Sequence, residues 1–238
     1  MNLDSFQKKL AGVNIVRNFL FTKKPRQIEA QFLSKYGSHG RTLDIGAKSK
    51  YNKFFFPNLL TLNIEKTDGV DVIGSVADMR EIFPDESFDA VLCLSVLEHL
   101  KDPKKAVNEI KRVLKKGGVA IVSAPFIMTL HDTPADYWRF TKYGLAELFK
   151  EFETVELNDN MDSLQTIGYM YHRLFLQTDT LFTRWLGFIF FLTSKFHYLI
   201  HKVITAEYGY VNRSRPETAV AANCILGVFR KKPVTEPN

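Results

Sequence analysis

The residues of this chain that can do chemistry follow its apolar runs. TLDIG (42–46) places Asp44 two residues before Gly46. A glycine closing an apolar run lets backbone approach a ligand closely. LLTLNIE (59–65) ends on Glu65, a carboxylate placed to accept both hydroxyls of a ribose. Asp78 follows DVIGSV (71–76). Its carboxylate and a neighbouring backbone N–H match the amino and ring-nitrogen pattern of adenine. FDAVLCLS (88–95) ends on Ser95 and leads into Val96-Leu97-Glu98-His99-Leu100.

A second group is denser. His131-Asp132-Thr133-Pro134-Ala135-Asp136-Tyr137-Trp138-Arg139-Phe140 packs polar and aromatic side chains into one loop. Such density is unusual for a mere connector. His131 suits taking a proton from a hydroxyl nucleophile, with His99 and Asp136 as the other acid–base candidates. Arg139 suits clamping a carboxylate or phosphate, and Tyr137 lies beside it as a substrate contact. The plainer alternative is a self-packed loop, with Tyr137 and Trp138 in the core and Arg139 paired to Asp136. His99 has a plain alternative too, as a cap of its turn.

These residues need a frame that holds them at one edge. IEAQFLSKYG (28–37) reads as a helix closed by Gly37, after an amphipathic helix over 3–21. Strands are expected at 41–46, 59–65, 71–76, 88–95, 119–126, 152–157 and 221–231. Asp102-Pro103 opens a helix with an N-cap and a proline at its first position. Its apolar stripe is Ala106, Val107, Ile110, Val113 and Leu114, and Gly117-Gly118 is the expected stop. Thr141 caps another helix, running to about Phe149. Strands alternating with amphipathic helices mean crossover units and a doubly wound, mostly parallel α/β sheet. Ligands of such sheets sit beyond the carboxyl ends of the strands, at the switch point. That is where Asp44, Glu65, Asp78, Ser95 and His131 fall.

Composition agrees with a folded domain. Of 238 residues, 45% are hydrophobic and 24% charged, which excludes a disordered chain or a collagen-like repeat. Net charge is only +6. An anionic partner is one reading, and a solvated basic helix face is the plainer one. Cys93 and Cys224 sit in apolar runs, as free buried thiols of a cytoplasmic protein would. There is no CxxC or HExxH spacing, so no structural metal is expected. The start of the chain does not read as a signal peptide.

The stretch 158–220 is too long for a connection and must hold helices of its own, as a helical, apolar insertion before the last strand. Within it, 181–204 is rich in Phe, Leu and Ile but is interrupted by Arg184, Lys195 and Lys202. A spanning helix wants about 20 apolar residues in a row. The segment therefore reads as a buried helix pair, a substrate lid or an interfacial, membrane-facing piece.

The series TLDIG, LNIE and VADMREIFPDESFDAVLCLSVLEHLKDPKKAVNEIKRVLKKGGVAIVSAPF resembles a class I S-adenosylmethionine-dependent methyltransferase. The resemblance runs from Thr42 to about Leu157. HDTPADYWRFTKYGLAELF resembles one branch of that family. The resemblance implies a Rossmann-like core over 41–157 and 221–232, seven strands with the last antiparallel, N-terminal helices over 1–40, and S-adenosylmethionine as cofactor. It implies that Asp44 and Gly46 form the loop near the methionine end. Glu65 would hold the ribose, Asp78 and Met79 would flank the adenine, and Ser95 would pass beneath the methionine part. The family pattern Asp-x-Gly-x-Gly-x-Gly is relaxed here, with Lys48 and Lys50 at its last two glycine positions.

The expected activity is O-methylation of a small-molecule, lipid-linked or glycan acceptor, by in-line transfer. Nucleic acid is not an expected partner, because no basic groove or added binding domain is visible. The competing readings are a non-catalytic module of the same fold, used for assembly or membrane attachment, and a nucleic-acid methyltransferase. The expected location is cytoplasmic, with peripheral membrane contact through 181–204 as an addition.

Overall fold

The computed structural model describes residues 25–47, 49–177, 184–203, 206–208, 216–217 and 219–233. The expected helix at 3–21, Lys48, residues 181–183 and the exposed return around Arg213 and Arg215 lie outside them.

Pro25 begins α1 (Pro25–Tyr36), where its fixed φ suits a first helical position. Four strands follow: β1 (Thr42–Ile45), β2 (Leu59–Asn63), β3 (Val72–Ile73) and β4 (Phe88–Leu94). All four β1 positions are buried. So is most of β4, as expected of central strands covered on both faces. Next come α2 (Pro103–Val113), β5 (Leu114–Pro125), α3 (Lys142–Leu148) and β6 (Phe152–Asp159). Asp102 caps α2 by accepting from the N–H groups of Lys104 (3.2 Å) and Lys105 (3.4 Å). Thr141 caps α3 through Gly144 N–H at 3.0 Å.

Helices α4 (Ser163–Gln177) and α5 (Arg184–Ile200) and the short ladder of β7 (Glu207–Tyr208) and β8 (Pro216–Glu217) precede β9 (Cys224–Lys231). The main sheet has seven strands in the order β3-β2-β1-β4-β5-β9-β6. Neighbours from β3 to β5 are parallel. β9 runs antiparallel between β5 and β6. The chain leaves β1 toward one edge and returns to β4 on its other side, so β1 and β4 flank the switch point. Cys93 and Cys224 are buried on β4 and β9 and form no disulfide.

Several boundaries differ from the sequence reading: β3 keeps only Val72–Ile73, β9 begins at Cys224, and the largest change is at the end of α2. α2 stops at Val113, and Gly117-Gly118 falls inside β5. Leu114 is already extended and fully buried, paired with Phe88. The register then jumps, so that Val119 meets Ala90. The glycines serve this bulge: Gly117 has φ +75°, and a Cβ on Gly118 would lie 2.9 Å from Lys115 O.

The chain divides into two compact units. One runs Glu29–Asn160 and resumes at Cys224, and it holds the sheet. The other covers Met161–Asn223 together with the first turn of α1. In the second, α4 packs closely on α5 at Gly168, where a Cβ would stand 3.0 Å from Ser194 O. His201 Nδ1 meets Asp162 Oδ2 at 2.8 Å, and Glu207 accepts from Ser163. Among the described residues, no helix is long and apolar enough to cross a membrane.

Candidate active site

The carboxyl ends of β1, β2 and β4 hold the first group of residues. Asp44 points from a buried strand and is only 2% exposed. Burial pushes its carboxyl up to about 7. A hydrogen bond from Asn52 Nδ2 at 2.9 Å works against that rise. The negative charge of Glu29, from α1, adds to it.

Gly46 follows with φ +75°, and a Cβ there would stand 2.5 Å from Val96 Cγ2 in the loop after β4. Only glycine meets both demands. Lys50 needs no such freedom, because its φ is −88°. Its ammonium pairs with Asp71 and holds that carboxyl at about 2. A lysine therefore replaces the usual glycine here without backbone strain.

Asn63 ties two loops together. Its Nδ2 donates to the carbonyls of Gly46 (3.3 Å) and Ala47 (3.2 Å). Its Oδ1 accepts the N–H of Glu65 at 3.1 Å. The Glu65 carboxylate is exposed, with no side-chain hydrogen bond or ion pair among the described residues.

Asp78 is likewise exposed. The expectation for its neighbour needs correction. Met79 is wholly buried, and its N–H already donates to Glu109 Oε2 at 2.7 Å. The N–H of Asp78 goes to Ser75 O at 3.1 Å. Neither N–H is available to an adenine, so the Asp78 carboxylate is what this loop offers.

Ser95 has φ +52°, a costly conformation for a residue with a side chain. Its N–H donates to Ser123 O at 3.0 Å. Ser123 Oγ in turn donates to Glu29 Oε1 at 2.8 Å, which brings α1 over the ends of β4 and β5.

The second group gathers beyond β4 and β5. Glu98 is fully buried, and among the described residues neither carboxylate oxygen has a hydrogen-bond partner beyond the N–H of Glu98 itself. Burial pushes it up to about 7, and the nearby charge of Asp136 adds to the rise. Its carbonyl accepts the N–H groups of Tyr137 (2.8 Å) and Trp138 (3.2 Å), fastening the 131–140 loop to the turn after β4. His131 Nε2 lies 3.6 Å and His99 Nε2 3.9 Å from Glu98 Oε1. The two rings stand edge to face, 4.9 Å between centroids. On the far side, His131 Nδ1 lies 3.4 Å from Asp136 Oδ2.

For Arg139 the structure takes the plainer of the two sequence readings, the pairing with Asp136. Nε donates to Met128 O, Nη1 to Asp136 Oδ1 and Trp138 O, and Nη2 to Asp136 Oδ2 and Thr129 O. All five N–H groups are spent, so the guanidinium has none left for a substrate anion. Asp136, held well below the usual carboxylate range by that guanidinium, faces His131 Nδ1. Tyr137 is partly exposed beside them and remains open to a substrate. Glu98, the centre of this cluster, was hidden in the sequence. Its one signal was an acid followed by a histidine directly after an apolar strand. Glu29, Asn52, Asn63, Ser123 and Glu109 gave none.

The first group fits S-adenosylmethionine. Asp44 and Glu29 bring two carboxylates toward one loop, which suits the cationic methionine end. Gly46 leaves the loop without a side chain, and Glu65 offers a free carboxylate to ribose hydroxyls.

Residues 55–122 match the family model of a methyltransferase domain. The chain is 37% identical over 100 residues to a Mycolicibacterium smegmatis protein named "Probable S-adenosylmethionine-dependent methyltransferase", covering 40% of this chain and 38% of that one. It is 38% identical over 63 residues to the ubiquinone biosynthesis O-methyltransferase of Dechloromonas aromatica, covering 26% of this chain and 25% of that one. The chain thus matches well under half the length of these curated relatives. The crystal structure of Burkholderia thailandensis 1,6-didemethyltoxoflavin-N1-methyltransferase, with 1,6-didemethyltoxoflavin and S-adenosylhomocysteine bound, shares the fold. Its TM-score is 0.52 at 14% identity, over 96% of this chain and 90% of that one. The sheet order, the glycine loop and the matched segment 55–122 together make the chain similar to class I S-adenosylmethionine-dependent methyltransferases, whose fold it shares.

Proposed function

We propose that the protein transfers a methyl group from S-adenosylmethionine to an oxygen of a small-molecule or lipid-linked acceptor. The observation that carries this reading is the His131 imidazole. It stands between Asp136 and Glu98, on the same edge of the sheet as the donor loops of β1 and β4. The bound donor supplies an electrophilic methyl on a sulfonium, so the protein must align a nucleophile and remove its proton. Asp136 faces Nδ1 of His131 and orients the ring. Nε2 is then the atom that takes the hydroxyl proton. Glu98 lies on that side and stabilises the imidazolium that results. The oxygen acceptor of the Dechloromonas relative supports the same acceptor atom.

Two measurements test the reading. Calorimetric titration with S-adenosylmethionine and S-adenosylhomocysteine should show micromolar binding that Glu65→Ala weakens. Hydroxylated acceptors, lipid-linked ones included, are then screened by release of S-adenosylhomocysteine. His131→Asn should lower turnover about 100-fold and leave donor affinity unchanged. Binding without turnover on any acceptor class would favour the non-catalytic reading.

A lipid-linked acceptor is supported by α5. Trp185, Phe188, Ile189, Leu192, Phe196 and Leu199 recur at helical spacing and are all about half exposed or more. We infer peripheral contact with a bilayer through this face. Flotation with anionic liposomes checks it: Leu192→Glu with Phe196→Glu should abolish association, and no association of the parent protein would remove the idea.

A further inference from the structure

We propose that Glu98, His99 and His131 form a site for one divalent transition-metal cation. No pair of its ligands has a metal-binding spacing in the sequence. The three ligands come from two separate loops, after β4 and after β5, and only the fold joins them.

Their ligand atoms all lie within 4.8 Å of one another. Glu98 Oε1 is 3.6 Å from His131 Nε2 and 3.9 Å from His99 Nε2. Ligand atoms around a tetrahedral ion with bonds of about 2.0–2.1 Å stand roughly 3.3 Å apart, so side-chain rotation closes the set.

Glu98 is the second observation that points to a ligand. Its carboxylate is fully buried, and among the described residues neither oxygen has a hydrogen-bond partner beyond the N–H of Glu98 itself. A buried acid in that state is costly unless something cationic completes it.

The outer atoms are already arranged. His99 Nδ1 faces Ala135 O. His131 Nδ1 faces Thr129 O at 3.3 Å and Asp136 Oδ2 at 3.4 Å. Acceptors at Nδ1 fix the proton there and turn Nε2 lone pairs inward, the outer-shell pattern of metal-bound imidazoles. Asp136 is itself anchored by Arg139 at 2.6 and 2.7 Å.

Two imidazoles and one carboxylate suit zinc, iron(II), manganese(II) or cobalt(II) better than magnesium or calcium. Three protein ligands leave at least one position open to a water or to an acceptor oxygen. A bound cation would occupy the His131 Nε2 lone pair and take over from it the task of acidifying an acceptor hydroxyl; that use rests on the methyl-transfer reading, whereas occupancy by the cation does not.

The test uses tag-free full-length protein, stripped with a chelator and dialysed. Zinc is titrated calorimetrically, and cobalt(II) is followed by its visible absorption. One cation per chain is expected, at micromolar affinity or tighter. Glu98→Gln and His131→Asn should each weaken it at least 100-fold, and His99→Asn should change the cobalt spectrum. Circular dichroism and S-adenosylmethionine titration of each variant show that fold and donor site are kept. Less than a tenth of an equivalent bound, or binding untouched by Glu98→Gln and His131→Asn, would overturn the site. Loss of donor binding with the cation retained would sink the methyl-transfer reading alone.

Discussion

Asn52 reaches back to Asp44 and donates from Nδ2 to its carboxylate at 2.9 Å. It is the one named contact that lowers a carboxyl which burial and Glu29 push up to about 7. The folded chain therefore holds a proton that the unfolded chain, near 3.8, has lost. This contribution to stability is fully present below about pH 4 and is lost as pH rises through 7. Asp44→Asn removes the titration. In urea denaturation at pH 5, 6.5 and 8, the parent protein should lose stability relative to Asp44→Asn as pH rises. Equal pH slopes would show that Asp44 is not raised. Donor affinity should move the other way. A cationic donor favours the ionised carboxylate, so affinity should grow by up to about tenfold from pH 6 to 8, and this growth should vanish in Asp44→Asn.

Gly46 is held by two separate constraints, and a double substitution can divide them. Its φ of +75° disfavours any side chain, and Val96 Cγ2 fills the space where a Cβ would go. Gly46→Ala should destabilise the protein by about 2 kcal/mol. Adding Val96→Ala opens the space but leaves the backbone angle, so it should recover only part of the loss. Full recovery in thermal melts would mean that contact alone requires the glycine.

The frame was legible because its signals are local. Apolar runs of four to eight residues ending in Gly, an acid or Ser marked β1, β2 and β4. The Asp102-Pro103 pair marked the start of α2. The misplaced stop of α2 shows the limit. Gly117-Gly118 is a good helix terminator, yet Leu114 gains more by burial against the sheet, and the glycines make a bulge instead. The placement of Asp44, Gly46 and Glu65 at strand ends was legible, because each stands at the end of an apolar run. The site was not legible where a role depends on what a neighbour consumes. Arg139 reads either as an anion clamp or as the partner of Asp136, and only the fold shows Asp136 and three carbonyls taking all its donors. Met79 reads as offering an N–H until Glu109, thirty residues on, accepts it.

That consumption at Arg139 predicts a structural phenotype, not a change in acceptor charge preference. The Asp136 side chain is 1% exposed and receives two guanidinium bonds. Arg139→Ala leaves a buried carboxylate with only the N–H and imidazole of His131 as partners, at a cost of about 3 kcal/mol. Arg139→Lys supplies one charge without the fork and should fall between. Urea denaturation gives the stability order. Turnover should fall with the orientation of His131, whereas the relative rates on anionic and neutral acceptors should stay the same. A selective loss on anionic acceptors would restore the clamp.

Glu109 should control the adenine end of the site from beneath. It accepts Met79 N–H at 2.7 Å while Arg112 Nε and Nη2 each donate to it at 2.9 Å. Arg112 holds it below the usual carboxylate range. Its contribution is thus present above about pH 4.5 and is lost as pH falls below that. Glu109→Ala strands both the Met79 N–H and part of the Arg112 guanidinium, although Arg112 keeps Phe83 O and Asp85. A loss of about 2 kcal/mol is expected in urea denaturation. Glu109→Gln keeps an acceptor for Met79 but not the ion pair, so it should lose less. If this carboxylate sets the Asp78 loop, Glu109→Ala should weaken S-adenosylhomocysteine and adenosine alike. On the proposed placement of the donor, the adenine contact would be common to both ligands, while the Asp44 loop would meet only the methionine part. A variant that weakened S-adenosylhomocysteine but not adenosine would place the effect of Glu109 elsewhere than at the base.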